Sequence, residues 1–189
     1  DAYLLCDEVY RGTAQVGDGM VPSIADMYRK GISTAGMSKV FSLAGLRLGW
    51  VAAPQDVTEK IMIHRDYDTI SVGMINDHFA AIALENADNV LSRSRQITRE
   101  NLAILEEWIN NEPRVSWVKP RAGTTAMLKL DVPMTCRKFC IDLIEKTGVM
   151  LTPGDAFEME GYARIGYAND RETLEAGLKE LSRYLGDIR

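Results

Sequence analysis

The chain has 189 residues, 46% apolar and 26% charged, with a formal net charge of −5. That balance is that of a folded globular protein and excludes a disordered or collagen-like chain. The mild acidity gives no electrostatic basis for binding nucleic acid, and charged residues interrupt every apolar stretch well short of the ~20 residues needed to span a bilayer. Apolar residues begin almost at once, at Tyr3, Leu4, Leu5 and Cys6, and run into Asp7-Glu8-Val9-Tyr10. Such a run predicts a buried strand with polar groups at its C-terminal end. A strand of that kind needs neighbours, so the chain is expected to be a piece of a longer protein. No opening segment has the layout of a signal peptide.

A polar loop over 11–19 and a short helix over 24–28 come next. Residues 31–39 predict a second strand running into a loop, and 46–53 a third, closed by Pro54. Helical spacing marks 55–67, 75–84 and a long segment over 89–110 with Leu91, Ile97, Leu102, Leu105 and Ile109. Beyond Glu112-Pro113 the pattern changes to two strands, 115–118 and 125–130, across a Pro-Arg-Ala-Gly turn. A helix over 135–146 is ended by Gly148, short strands are expected at 149–153 and 162–167, and 170–185 reads as a closing helix with Asp170 as N-cap. Strands alternate with helices, so the fold class is α/β, with an α+β second part and a boundary near residue 95. Cys6, Cys136 and Cys140 are an odd set without paired spacing, which fits reduced thiols in the cytoplasm. Cys136 and Cys140, four apart on a helix and without His or Cys partners at zinc spacing, read as packing residues.

The densest chemistry lies in Ser38-Lys39-Val40-Phe41-Ser42-Leu43-Ala44-Gly45-Leu46-Arg47-Leu48-Gly49-Trp50. Lys39 follows a run of small residues, where a side chain can enter a cavity. Arg47 stands between two glycines that allow the backbone to turn and to approach a ligand closely, and an arginine so placed can hold a phosphate bidentately. By spacing alone, a surface Lys and Arg around a turn is the favoured reading of the segment.

Taken whole, Ser-Lys-x-Phe-x-x-x-Gly-x-Arg-x-Gly resembles the lysine signature of the class I/II aminotransferases, the fold-type I enzymes that use pyridoxal 5′-phosphate. Asp7-Glu8-Val9-Tyr10 resembles that family's Asp-x-x-Tyr strand end, and Tyr162-Ala163-Arg164-Ile165-Gly166-Tyr167-Ala168 its carboxylate-binding strand. The three occur in the family's order and cover the whole chain. The resemblance implies a catalytic Lys39 that forms the internal Schiff base and moves a proton between the substrate Cα and the cofactor. A lysine can do this only while its amine is neutral for part of the cycle. Asp7 would pair with the pyridine nitrogen, Tyr10 would donate to the phenolate oxygen, Arg47 would grip the phosphate, and Arg164 would bind the substrate α-carboxylate. The competing reading of Arg164 is a pair with nearby Glu160.

Where the family often has Ser or Thr as a phosphate ligand, three residues before the lysine, this chain has Gly36. Ser38 and Ser42 are candidate helpers, and Ser71 a candidate for a partner subunit's phosphate. The family's remaining cofactor groups are expected upstream of residue 1. The resemblance therefore implies the C-terminal half of an aminotransferase: residues 1–95 as the end of the large cofactor domain, a remnant of a mostly parallel sheet, and 96–189 as the small C-terminal domain. The parent would be a cytoplasmic homodimer acting on an amino acid and a 2-keto acid, and the isolated chain would be inactive. Two alternatives remain open: another pyridoxal-phosphate enzyme on the same scaffold, such as a C–S lyase or decarboxylase, and a non-catalytic aminotransferase-like sensor domain.

Overall fold

Strand β1 (Leu4–Asp7) pairs in parallel with β2 (Gly31–Gly36), setting Asp7 opposite Thr34, and β3 (Gly49–Ala52) adds antiparallel on the other side of β2. The computed structural model describes residues 1–188, which fall into two units that divide between Arg95 and Gln96.

In the first unit the three-stranded sheet is mixed, with one parallel and one antiparallel pairing. The expectation that β1 is buried fails. Tyr3, Leu4 and Leu5 are 47%, 48% and 65% exposed, because β1 is an edge strand and none of its residues joins the core of the unit. That core gathers Met37, Val40 and Phe41 from the segment after β2, Ala80 and Ala83 from α3 (Met74–Glu85), and Leu91 from α4 (Ala87–Asn111). The short helix α1 (Ile24–Met27) is capped by Ser23, and the Glu8 carboxylate accepts from the Ile24 N–H at 2.7 Å and the Ser23 hydroxyl at 3.1 Å. Helix α2 (Gln55–Arg65) starts after Pro54 and buries no residue.

The division between units falls within α4. In the second unit, β4 (Val115–Trp117), β5 (Thr125–Leu130), β7 (Tyr162–Gly166) and β6 (Thr152–Pro153) form an antiparallel sheet in the order β4-β5-β7-β6. The strand expected over 149–153 shrinks to its last two residues. Helices α5 (Cys136–Thr147) and α6 (Arg171–Asp187) contribute Phe139, Leu143, Leu174, Leu178 and Leu181 to a core shared with Leu102, Leu105 and Ile109. The Thr135 side chain accepts from the Lys138 N–H at 3.3 Å, and Gly148, at φ 76°, closes the helix by donating to the Ile144 carbonyl at 2.9 Å. Asp170 holds the N-cap position of α6 but makes no side-chain cap; its carboxylate accepts from the Thr173 hydroxyl instead. Among the described residues no helix is long and apolar enough to cross a membrane.

One close approach fixes the β6–β7 connection. A Cβ at Gly154 would collide with the Met159 carbonyl oxygen and come within 2.5 Å of the Tyr162 carbonyl oxygen. Neither is a flexible side-chain tip, so Gly154→Ala is expected to destabilise the protein by about 1–3 kcal/mol, the cost typical of overpacking. A denaturant midpoint equal to wild type would contradict it.

Candidate active site

Residues 37–48 form a loop pinned at both ends. The Met37 N–H donates to the Leu48 carbonyl at 3.0 Å and the Leu43 N–H to the Met37 carbonyl at 2.9 Å. The Ser94 hydroxyl donates to the Val40 carbonyl at 2.6 Å, and the Asn76 amide to the Leu46 carbonyl at 3.0 Å. Met37, Val40 and Phe41 point into the core, and this anchoring turns Lys39 outward, where it is exposed. The strand expected from residue 46 begins only at Gly49, because Ala44–Leu46 is a 3-10 turn and Arg47 is left-handed (φ 49°, ψ 36°).

The turning is done by Ser42 (φ 57°) and Arg47 rather than by the glycines. A non-glycine residue in the left-handed region costs roughly 1–2 kcal/mol, and such strain concentrates at functional sites. Gly36 and Gly49 have another use. They face each other across β2 and β3, where a Cβ would lie 3.0 Å from the Leu48 oxygen or 2.8 Å from the Ala35 oxygen. Gly45 has open space around it. Arg47 Nη1 donates to the Ala44 carbonyl at 2.9 Å and the Ser38 hydroxyl at 3.3 Å, which directs the guanidinium back over the loop.

The result is a cleft of about 480 Å³ lined by Val9, Gly36, Ser38, Lys39, Arg47 and Gly49, among others, with no carboxylate in its wall. It lies at the C-terminal ends of the parallel strands β1 and β2, the usual ligand position in open α/β sheets. Two cations and a hydroxyl, with no carboxylate in the wall, give it a lining whose chemistry suits an anion. Asp7 and Tyr10 follow the same strand end on either side of Val9 but do not line this cleft. The exposed Asp7 carboxylate accepts from the Val9 N–H at 3.2 Å, and Tyr10 is half-buried in the turn that follows. Ser42 and Ser71 are exposed and stand outside the cleft wall.

Arg164 belongs to the second unit, half-buried on β7 opposite Thr152. The pairing with Glu160 does not form. The Glu160 carboxylate accepts from the Cys136 N–H at 2.9 Å and the Cys136 thiol at 3.3 Å, and the backbone hydrogen bond, followed by the thiol, holds its pKa below the usual glutamate range. Arg164 instead donates from Nη2 to the Thr152 hydroxyl at 3.4 Å and rests over the Phe157 ring, 4.8 Å from its centroid. Sequence reasoning passed over Thr152 and Phe157; the Thr-Pro-Gly turn that precedes Phe157 was the available signal. It also missed two carboxylates beside Cys136. The Cys136 sulfur and oxygens of Asp155 and Glu160 lie within 4.8 Å of one another, but Glu160 caps α5 and Asp155 accepts from Arg137 Nε at 2.7 Å. Cys140 is buried, and burial foremost, then the Cys136 and Asp155 charges, push its thiol up to about 11.

The cleft thus sets a projecting lysine beside an arginine at the carboxyl ends of parallel strands. Residues 1–181 match the family model for aminotransferase class I and II, and the chain belongs to that family, whose members depend on pyridoxal phosphate. The aromatic-amino-acid aminotransferase 2 of Thermococcus litoralis is 31% identical over 198 residues, covering 98% of this chain and 49% of that protein. Capreomycidine synthase of Streptomyces vinaceus is 33% identical over 156 residues, covering 82% of this chain and 40% of that protein. Among solved structures, a PLP-dependent aminotransferase from Streptococcus suis superposes with a TM-score of 0.94 at 44% identity, over 100% of this chain and 50% of that one. The chain spans about half the length of the relatives it matches.

The residues present fit the family's cofactor. The cleft supplies a lysine amine, a guanidinium and a hydroxyl for an aldehyde and a phosphate, and its volume falls within the ~300–1,000 Å³ of small-molecule sites.

Proposed function

We propose that this chain is part of a pyridoxal-phosphate-dependent aminotransferase that moves an amino group between an amino acid and a 2-keto acid. The observation that carries the reading is the cleft that Lys39 and Arg47 share without any carboxylate. When bound, the cofactor supplies an electron sink for the charge that develops at the substrate Cα. Lys39 provides the amine that holds the cofactor and takes the Cα proton. Asp7 keeps the pyridine nitrogen protonated, Tyr10 donates its hydroxyl to the phenolate oxygen, and Arg47 holds the phosphate with Ser38 beside it. Arg164 grips the α-carboxylate, a role supported by its lack of an acidic partner among the described residues. Residues 1–95 are then the end of the large cofactor domain and 96–189 the small one. The working enzyme is a longer homodimeric protein, and three free cysteines are compatible with a cytoplasmic site of action.

A second reading is favoured by the names of two similar proteins, the capreomycidine synthase and a PLP-dependent cyclase, the latter 29% identical with a TM-score of 0.90. The same side chains can serve eliminating or ring-forming chemistry, where pocket residues decide the outcome. Incubating the full-length enzyme with amino acids, with and without a 2-keto acid, separates the readings. Keto-acid-dependent transfer supports the first, and release of ammonia or a cyclic product without a keto acid supports the second.

Two substitutions probe the anion groups. Arg47→Gly keeps the left-handed backbone without steric cost, so stability is expected to hold or to rise by up to about 1 kcal/mol. Cofactor affinity should fall by about 1.5–3 kcal/mol, the worth of a charged hydrogen bond. Thermal melting and cofactor titration read the two effects separately. Arg164→Lys removes the fork but keeps the charge. It is expected to raise the amino-acid KM by about 10- to 150-fold, the same energy range, with cofactor affinity unchanged. Loss of cofactor with a normal KM would overturn the assignment.

A further inference from the structure

The segment facing Arg164 is fixed at several points. Thr152 and Pro153 pair with Arg164 and Ala163. The chain then makes a 3-10 turn over Gly154–Phe157, closed by Glu158 in the left-handed region (φ 58°). The Met159 N–H donates to the Gly154 carbonyl at 2.9 Å, and Gly154 has no room for a side chain. On one side of Phe157 the arch is tied to α5 by the Arg137–Asp155 ion pair at 2.7 Å, and on the other by Glu160 on the Cys136 N–H. Between these ties Phe157 remains 42% exposed, an aromatic ring held in place without being buried in the core.

Its neighbour accounts for that placement. Arg164 sits 4.8 Å over the ring and spends one weak bond on Thr152, which leaves Nε and Nη1 without a partner among the described residues. Asp155, Glu158 and Glu160 all occur on the arch, yet none pairs with Arg164. A carboxylate would hold the arginine by occupying its N–H edge, and a substrate would have to displace it. An aromatic face attracts the cation through the ring quadrupole and consumes no donor.

We propose that Phe157 is the positioning residue of Arg164, holding the guanidinium by its face so that its N–H edge is free for a substrate carboxylate. This rests on the reading of Arg164 given above. In the cofactor-loaded full-length enzyme, the measurements are the amino-acid KM and kcat and the inhibition constants of 3-phenylpropionate and its uncharged amide. Phe157→Leu should raise KM and the carboxylate inhibition constant by about 3- to 10-fold, as befits a half-exposed cation–π pair. The amide constant should hold and kcat should stay within about twofold, while Phe157→Tyr and Phe157→Trp, which keep an aromatic face, restore both constants.

Equal losses for carboxylate and amide would overturn the proposal, since the ring would then be a plain apolar wall. So would a Leu variant that matches wild type. If Phe157→Leu fails to fold, fluorinated phenylalanines at 157 keep the shape while draining the ring face. The carboxylate constant should then climb with each added fluorine, and a flat series rejects the idea. Should Arg164→Lys itself leave KM and the carboxylate constant unchanged, the reading of Arg164 fails rather than that of Phe157 alone.

Discussion

Lys39→Ala in the full-length enzyme is expected to lower amino transfer by more than about 10³-fold, since general acid–base catalysis alone contributes 10²–10⁴ and the attachment point for the cofactor is lost as well. The fold should not respond. Lys39 is exposed and its neighbours Met37, Val40 and Phe41 carry the packing, so the stability change should stay within about 0.5 kcal/mol. Reductive trapping with borohydride should leave the cofactor attached to the peptide containing Lys39 in the wild type and to no peptide in the variant. Normal turnover, or trapping at another lysine, would remove Lys39 from the mechanism.

The 189-residue chain by itself is expected to show no measurable amino transfer and to bind pyridoxal phosphate loosely. Lys39, Arg47 and Asp7 are all exposed in it, so a bound ring would stay in contact with water and every charged contact would be screened. The chain is also expected to self-associate. Strand β1 presents Leu4 and Leu5 to solvent at the open edge of a sheet, with exposed Tyr3 just before it, and an apolar edge with unpaired backbone groups recruits other strands. Light scattering across a concentration series and a cofactor titration test both halves. A monomer with tight, stoichiometric binding and enzyme-like turnover would refute them.

Local signals carried much of this architecture. Thr135, Gly148 and the alternation over 125–130 act within a few residues of themselves, and β5 and α5 follow from them. Leu46, Leu48 and Trp50 alternate like a strand, yet β3 starts late because Arg47 turns left-handed and Asn76, thirty residues on, holds the Leu46 carbonyl. The exposure of β1 was illegible for a different reason. An apolar run reports what a strand is suited to pack against, not whether that layer is present. At the site, the loop motif showed which side chains share the cleft with Lys39, but the partner of Arg164 was misleading. Glu160 is nearer in sequence than Phe157, and it is drawn away because the first N–H groups of α5 need an acceptor.

Position 47 sets the backbone and the chemistry against each other. Its left-handed torsion suits glycine, while the anion-holding role proposed for the cleft calls for a guanidinium. Every arginine codon becomes a glycine codon by changing its first base, so the substitution lies one mutation away. Purifying pressure for folding alone would not remove it if, as expected, the glycine form folds as well or better. A lineage relieved of the need to hold an anion would therefore drift toward glycine here with its fold intact. An arginine retained at a left-handed position among homologues would record selection on the ligand rather than on the scaffold.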